Sequence, residues 1–360
     1  MNSIDHEQFL ELLRRPSAVT ALSLKQWDSL LPMLSQTRLL PHIVAAIDQE
    51  NIGHDLPARI ADHLESTRVR TRRHAKLVEW EIDRLDSLFC NRDEPIVLLK
   101  GAAYLCAGLS PALGRVYSDV DVLVRKPCID EIERDLLAHD WSEVDDPDNQ
   151  EQFFRRWLHE IRPLKHRRRA TVLDLHHNIL PAIDSLQFDA SLLFERIEKI
   201  EGTHCIHVLG PADMVIHACV HLFRNGDFSR GLRDLLDIRA LLRDFRALDP
   251  RFDEEVQARA ECLGVSRPCA LAFRFLDKYL RDEALSAPPS NLEYALPNSI
   301  ELATLDFLFR KASLPRSLGA NPVPRQVSHW LLERYPPHLV RKTIVPKLER
   351  FGIYTLRPKH

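Results

Sequence analysis

The sequence has few cysteines and none at the spacing of a structural cluster. Seven cysteines are scattered over 360 residues, from Cys90 to Cys269, without a CxxC pair. An odd number at such spacings argues against a disulfide framework and against a zinc knuckle. We expect reduced thiols, most of them packed as small hydrophobic side chains.

Long apolar runs are also missing. No stretch approaches the ~18 apolar residues that a membrane span requires. The first residues, MNSIDHEQFLELLRR, carry acids and do not form the apolar core of a signal peptide. We therefore expect a cytoplasmic protein with no membrane partner.

The chain lacks an excess of charge of either sign. It has 49 basic and 52 acidic residues and a net charge of -3, so no global field favours a nucleic acid. Two local basic runs, Arg68–Lys76 and Lys165–Arg169, lack the interleaved aromatic residues that stack bases. We expect no DNA partner, and RNA is not favoured over a small molecule or a protein side chain.

Apolar residues recur three and four positions apart through the first ninety residues, a spacing that predicts helices. At Pro95 the pattern changes to a short continuous apolar run, after which strands and helices alternate. Helical spacing returns from Gly210. We predict an α+β fold, in which a small mixed sheet with flanking helices lies between two helical regions, with divisions at 1–90, 91–208 and 209–360.

Two aspartates separated by one valine lie in a predicted strand, VYSDVDVLV. Because side chains alternate along a strand, Asp119 and Asp121 share one face and the valines take the other. Neighbouring carboxylates on an apolar strand repel each other unless a cation lies between them. Hard oxygen ligands favour Mg²⁺ or Mn²⁺ over zinc. The same spacing also arises by chance, as at Asp146–Asp148 in a proline turn.

A third carboxylate lies in a later predicted strand. The pattern predicts a hairpin with Arg167–Arg169 at its turn and Ala170–Ile179 as its second arm. In that arm Asp174 and His176 share a face. If the two strands are neighbours, three carboxylates converge, and such a cluster can hold two metal ions about 3.5 to 4 Å apart for an in-line displacement at phosphorus.

The predicted turn at Lys100 and Gly101 follows the first strand and begins a helix. Backbone N–H groups at a helix start, together with one cation, can receive a polyphosphate. This turn is therefore the expected phosphate site.

Together, VLLKGAAYL, GRVYSDVDVLV, VLDLHHNI and PADMVIHACVHLF resemble a known group of proteins. They are similar to the uncharacterised bacterial nucleotidyltransferase family proteins of the DNA polymerase beta-like superfamily. The resemblance covers roughly residues 39–243. It implies a polymerase beta-like catalytic core over 91–208 and transfer of a nucleoside monophosphate from an NTP.

By position, the resemblance implies that Asp119, Asp121 and Asp174 are the catalytic carboxylates and hold Mg²⁺ or Mn²⁺. Lys100 and Gly101 match the turn of the narrower group. Ala102 departs from the wider superfamily, where a serine or glycine is frequent, so Lys100 is expected to substitute for the missing hydroxyl.

Two further residues are candidates for nucleotide binding. Arg115 matches an arginine that precedes the aspartates in this group, and it either holds phosphate oxygens or pairs with Asp119. His176 either orients Asp174, contacts the acceptor or serves as a hydrogen-bonding support.

The following helical segment carries two pairs of residues four positions apart. His217 and His221 have the spacing of a metal site but lack the glutamate of a zinc protease. We interpret them as part of a packing helix, which the resemblance also allows to line the nucleotide pocket. Arg233 and Asp237 are expected to form an ion pair. The basic run Lys165–Arg169 is expected at the mouth of the site, whereas the charges of Arg68–Lys76 are interpreted as solvated.

The sequence thus predicts a metal-dependent nucleotidyltransferase with an unidentified acceptor, either a small molecule, a protein or peptide, or RNA. One alternative is a non-catalytic nucleotide sensor or protein-binding module. Another is a toxin/antitoxin-type transferase that acts on tRNA or protein.

Overall fold

A computed structural model describes residues 4–144, 159–181, 184, 186, 188–224, 227–281 and 290–319. Within them the protein has a mixed α+β fold with a seven-stranded mixed sheet flanked by helices. The predicted fold class is therefore confirmed. The chance pair Asp146–Asp148 and the end of the predicted C-terminal region, 320–360, lie outside the described residues.

Helices precede the sheet, as the periodicity predicted. They are α1 (His6–Arg14), α2 (Leu24–Gln36), α3 (Leu40–Gln49) and α4 (Ala58–Phe89). Asp5 with Gln8 and Ser23 with Gln26 form capping boxes that satisfy backbone N–H groups at the starts of α1 and α2. In the described part of the chain no single helix is long and apolar enough to cross a membrane; α2 and α3, bent by 116°, pass that test as a pair.

The sheet combines parallel and antiparallel strands. They are β1 (Ile96–Leu98), β2 (Val120–Leu123), β3 (Trp141–Glu143), β4 (Leu164–His166), β5 (Val172–His176), β6 (Ile197–Lys199) and β7 (Ile206–Leu209). Their order is β3-β4-β5-β2-β1-β7-β6. β2 runs parallel to β5 and β1 parallel to β7, whereas the other neighbours are antiparallel. The predicted hairpin is β4–β5.

Among the described residues, two short helices lie between strands and five follow the sheet. The first two are α5 (Lys100–Cys106) and α6 (Ile129–Ala138). The others are α7 (Pro211–Arg224), α8 (Gly231–Leu248), α9 (Phe252–Cys262), α10 (Ser266–Leu280) and α11 (Ser299–Ser313). Nearly every residue of α7 is buried, so this helix forms the centre of the C-terminal packing.

One continuous set of buried side chains runs from Ile4 to Leu314 and joins these layers. A buried carboxylate also links α4 to the start of β7, because Asp86 on α4 accepts hydrogen bonds from the backbone N–H groups of His204 and Cys205 at 2.8–2.9 Å. The division at 1–90, 91–208 and 209–360 stays a prediction.

The loop that leads from α5 into β2 is fixed by helices from both ends of the chain. Ser110 donates its N–H and its hydroxyl to Asp244 on α8, at 2.7 and 2.6 Å. His74 on α4 donates from Nδ1 to the carbonyl oxygen of Tyr117 at 3.0 Å. Gly114 packs so closely on α3 that an added Cβ would lie 2.8 Å from the Cα of His42. These contacts place the loop's last residues at the start of β2.

The close approach at Gly114 predicts a loss of stability on Gly114→Ala. The contact is with backbone, which cannot rotate away, so we expect overpacking to lower the free energy of unfolding by about 1–3 kcal/mol. Gly53→Ala is the matched control, because its Cβ would have no neighbour closer than 3.8 Å. Urea denaturation measures both; equal stability of the Gly114→Ala and Gly53→Ala variants would contradict the packing argument.

Candidate active site

Two carboxylates lie side by side in neighbouring strands at the middle of the sheet. Asp121 in β2 and Asp174 in β5 are register partners in a parallel pair, and Asp119 directly precedes β2. On the opposite face of β2, Val120, Val122 and Val124 are buried. The strands that carry the predicted aspartates are therefore neighbours, with their valines in the core.

Asp121 is the most enclosed of the three carboxylates. Its Oδ1 accepts hydrogen bonds from Lys100 Nζ at 2.6 Å and from His176 Nε2 at 3.1 Å. Burial alone would raise the pKa of Asp121, but the Lys100 ammonium and the His176 hydrogen bond hold that pKa well below its usual range. Asp121 is consequently ionised at any working pH.

Lys100 occupies an unusual backbone position at the start of α5, with φ +49°. Burial would lower the pKa of Lys100, but the charge of Asp121 raises it. The ammonium is thus committed to a carboxylate. The side chain of Ala102 is buried in the core. Because the Lys100 ammonium is engaged by Asp121, the geometry does not favour the expectation that Lys100 replaces the missing hydroxyl in binding a phosphate.

Gly101, beside Lys100, allows the preceding loop to pass close to α5. A Cβ at this position would lie 3.2 Å from the ring of Tyr117 and 3.3 Å from Arg115 Nε. The glycine thus has a packing reason independent of phosphate binding.

Asp174 has the surroundings of an incomplete metal ligand. Its Oδ1 is buried and has no hydrogen-bond partner. Burial, and then the charge of Asp121, raise the pKa of Asp174 to about 7. An unsatisfied buried oxygen beside a second carboxylate is a suitable place for a divalent cation, so the residues present fit the predicted metal.

A further group of possible ligands adjoins Asp121 through His176. His176 Nδ1 lies 3.3 Å from Glu160 Oε2, and the ring stacks on His159 with centroids 5.3 Å apart. One ligand atom from each of His159, Glu160 and His176 falls within 4.8 Å of the others. Imidazole and carboxylate together suit manganese or zinc. His159 and Glu160 precede the hairpin and form no motif, so they could not be predicted from the sequence.

Two expected ion pairs are replaced by others. Arg115 does not pair with Asp119 but donates to Asp237 at 2.8 Å, and His42 Nε2 lies 3.3 Å from the same carboxylate. The other role expected of Arg115, holding phosphate oxygens, stays a prediction. Arg233 pairs with Asp234 at 2.6 Å instead of with Asp237. The reason is that Asp237 faces inward, where Arg115 and His42 hold its pKa below the usual value against the effect of burial.

His217 and His221 lie on α7 with ring centroids 6.5 Å apart. Burial, and then the nearby Lys100 charge, lower the pKa of His217 to about 3 and that of His221 well below its usual value. Both imidazoles are therefore neutral at pH 7. The helix packs beside the Lys100 turn, in agreement with the packing interpretation.

One residue of each basic run departs from its expected place. Arg169, at the turn of β4–β5, forms a two-bond ion pair with buried Glu81 on α4, at 2.6 and 2.8 Å. Arg70, from the run interpreted as solvated, lines a cavity of about 260 Å³ together with Arg38, Arg115 and Ser118. That cavity opens next to Asp119 and was not foreseen from the sequence.

Comparison of the sequence with known proteins assigns the chain to a family. The sequence profile described as "Uncharacterised nucleotidyltransferase" matches residues 23–281. The chain belongs to the uncharacterised nucleotidyltransferase family. Neither the search of curated proteins nor that of solved structures found a match. The family supports a general role in nucleotidyl transfer and a nucleotide as substrate.

In this family member the Lys100–Asp121 pair should behave as a coupled unit. Lys100→Met leaves a buried carboxylate with only part of its compensation, so we expect a loss of about 3 kcal/mol in the free energy of unfolding. The double variant Lys100→Met/Asp121→Asn should lose less than the sum of the two single variants. Chemical denaturation in EDTA measures all three, and strictly additive losses would contradict the pairing.

Ionisation of Asp174 should make stability fall as pH rises. Its folded pKa of about 7 exceeds the ordinary 3.8, so between these values the folded state binds more protons than the unfolded state. Without metal, we expect this group to remove roughly 1.4 kcal/mol per pH unit between pH 4 and 7. Asp174→Asn should abolish that slope.

The comparison requires denaturation curves at each pH in EDTA. Asp83→Asn is the control, because Asp83 is exposed on α4 and outside the site. A wild-type slope indistinguishable from that of Asp174→Asn would mean that Asp174 is already ionised at pH 4.

Proposed function

We propose that the protein is a Mg²⁺- or Mn²⁺-dependent nucleotidyltransferase that transfers a nucleoside monophosphate from an NTP to an acceptor and releases pyrophosphate. The observation that carries this proposal is the register of Asp121 with Asp174, beside Asp119 and the half-buried Lys100. This pairing puts two carboxylates together at the centre of the sheet, where a nearby cation or protonation of one member relieves their repulsion.

Asp119, Asp121 and Asp174 are the residues that would hold the metal. A divalent ion bound there supplies charge neutralisation at the α-phosphate and lowers the pKa of the acceptor hydroxyl. The unpartnered Asp174 Oδ1 and its raised pKa support this assignment.

The remaining residues act on the carboxylates and on the proton. Lys100 and His176 fix Asp121 Oδ1 from two sides, so they are positioning residues. Asp174, whose Oδ1 has no hydrogen-bond partner among the described residues, is the residue that we assign to accept the acceptor's proton. The acceptor oxygen then forms a bond to the α-phosphorus while the bond to the bridging oxygen breaks, and pyrophosphate leaves with that electron pair.

The acceptor is a small molecule, a protein side chain or RNA, and the proposed setting is the cytoplasm. A toxin/antitoxin-type acceptor such as tRNA or a protein would use the same chemistry. Because the chemistry at the α-phosphorus is the same for each acceptor, the site residues support each of them equally.

A specific observation favours a second candidate, a non-catalytic nucleotide sensor. The Lys100 ammonium lies 2.6 Å from Asp121, in the place where a catalytic site has its metal. In a sensor this ion pair would be permanent. In an enzyme the ammonium must share Asp121 with a divalent ion.

Transfer of label tests the enzyme directly. Purified protein is incubated with Mn²⁺ or Mg²⁺ and each α-³²P-labelled NTP, with and without cell extract. We expect labelled product from the wild type and from the exposed control Asp83→Asn, and a loss of at least about a hundredfold in Asp119→Asn/Asp121→Asn, since the proposed chemistry rests on the charge of these two groups. Labelling that survives this double variant would overturn the carboxylate assignment.

Thermal shift with the same proteins separates the sensor from the enzyme. A sensor is stabilised by NTP and metal without moving label, and Asp119→Asn/Asp121→Asn weakens that stabilisation. A protein that neither moves label nor responds to NTP and metal has neither proposed function.

A further inference from the structure

The cavity beside Asp119 is lined by four arginines from separate parts of the chain. They are Arg38 after α2, Arg70 on α4, Arg115 in the loop before β2, and Arg233 on α8. Ser118, the neighbour of Asp119, forms part of the same wall. The cavity thus reaches the residue that precedes Asp119, and its charged lining is of the sign opposite to that of the carboxylates.

The positive charge of this cavity exceeds the carboxylates that compensate it. Arg115 is paired with Asp237 and Arg233 with Asp234. Within the part of the chain that the structure describes, no ion pair or hydrogen bond involves the side chain of Arg38 or Arg70. Both arginines are exposed and line the cavity, so their guanidinium donors are available to an anion there.

Neighbouring charge reinforces this excess. Burial, and then the charges of Arg233 and Arg38, lower the pKa of Arg230, so a fifth guanidinium lies close to the group. Like charges gathered at a cavity repel one another and are relieved by a bound anion. Planar guanidinium groups bind phosphate through paired hydrogen bonds.

The Lys100 turn is a poorer place for that anion. Its ammonium is engaged by Asp121 at 2.6 Å, and the buried methyl of Ala102 stands where the wider superfamily often has a hydroxyl. The charge needed for a polyphosphate is therefore found across Asp119, among the arginines.

We infer that the cavity lined by Arg38, Arg70, Arg115 and Arg233 binds a phosphate-rich anion beside Asp119. The role of this anion in the reaction rests on the proposed function, whereas its binding by the arginines does not. The anion is either the β- and γ-phosphates of the donor, and hence the departing pyrophosphate, or a phosphate carried by the acceptor.

Calorimetric titration with inorganic pyrophosphate in EDTA tests the anion site without nucleotidyl transfer. We expect wild type to bind and Arg38→Ala/Arg70→Ala to bind at least about tenfold more weakly, because each lost charged hydrogen bond is worth a tenfold change or more. The two arginines have no partners within the described residues, so the variant should melt like wild type.

Arg59→Ala/Arg134→Ala is the matched control. It removes two exposed arginines, one from the first turn of α4 and one from α6, and changes the net charge equally. Its pyrophosphate affinity should equal that of wild type. Asp119→Asn/Asp121→Asn should also retain pyrophosphate binding, which separates a failure of this site from a failure of the proposed catalysis.

Competition identifies the source of the anion. If the cavity holds the donor's phosphates, ATP displaces pyrophosphate, AMP does not, and Arg38→Ala/Arg70→Ala weakens ATP but not AMP. If it holds an acceptor phosphate, pyrophosphate binds with unchanged affinity to protein saturated with ATP. Equal pyrophosphate binding by wild type and Arg38→Ala/Arg70→Ala, or equal weakening in the Arg59→Ala/Arg134→Ala control, overturns the inference.

Discussion

The repulsion between Asp121 and Asp174 is the constraint around which this site is organised. Parallel pairing of β2 and β5 makes these residues register partners, and a buried carboxylate pair is unstable unless one member is protonated or a cation is near. The protein uses both solutions. Lys100 keeps Asp121 ionised, while the pKa of Asp174 is raised, so the two carboxylates differ in their affinity for a proton.

The helices around the sheet fix the loop that leads into β2, and thereby the position of Asp119 and Asp121. The loop before β2 is fixed by His42 on α3, His74 on α4 and both Asp237 and Asp244 on α8. These anchors lie on both sides of the sheet residues in sequence, and all fall within 23–281, the part that matches the family. The site therefore depends on helical segments that carry no catalytic motif.

Sequence reasoning succeeded where a local period determines the structure. Alternation placed Asp121 opposite the buried valines and paired Asp174 with His176 on one face, because a strand has a fixed period of two. It failed for Arg115, whose partner Asp237 is 122 residues away. It failed for Arg233 because the helical i, i+4 rule describes neighbours on a surface, whereas Asp237 points into the protein. It also missed Glu160, which reaches His176 only through the fold.

Negative and positive side chains lie on opposite sides of Asp119, an arrangement that the composition of the chain cannot reveal. On one side, Asp121 and Asp174 present negative charge that Lys100 compensates in part; on the other, Arg38 and Arg70 present positive charge without partners among the described residues. Summed over the chain these charges nearly cancel, to -3, so composition predicted no global field that favours a nucleic acid or a membrane. The proposed cation site and the proposed anion site, on either side of Asp119, would together suit a metal-bound polyphosphate. A balanced total is therefore compatible with strong local fields, since screening limits each charge to about 8–10 Å, and the assignment has to rest on which charges the fold brings within that distance.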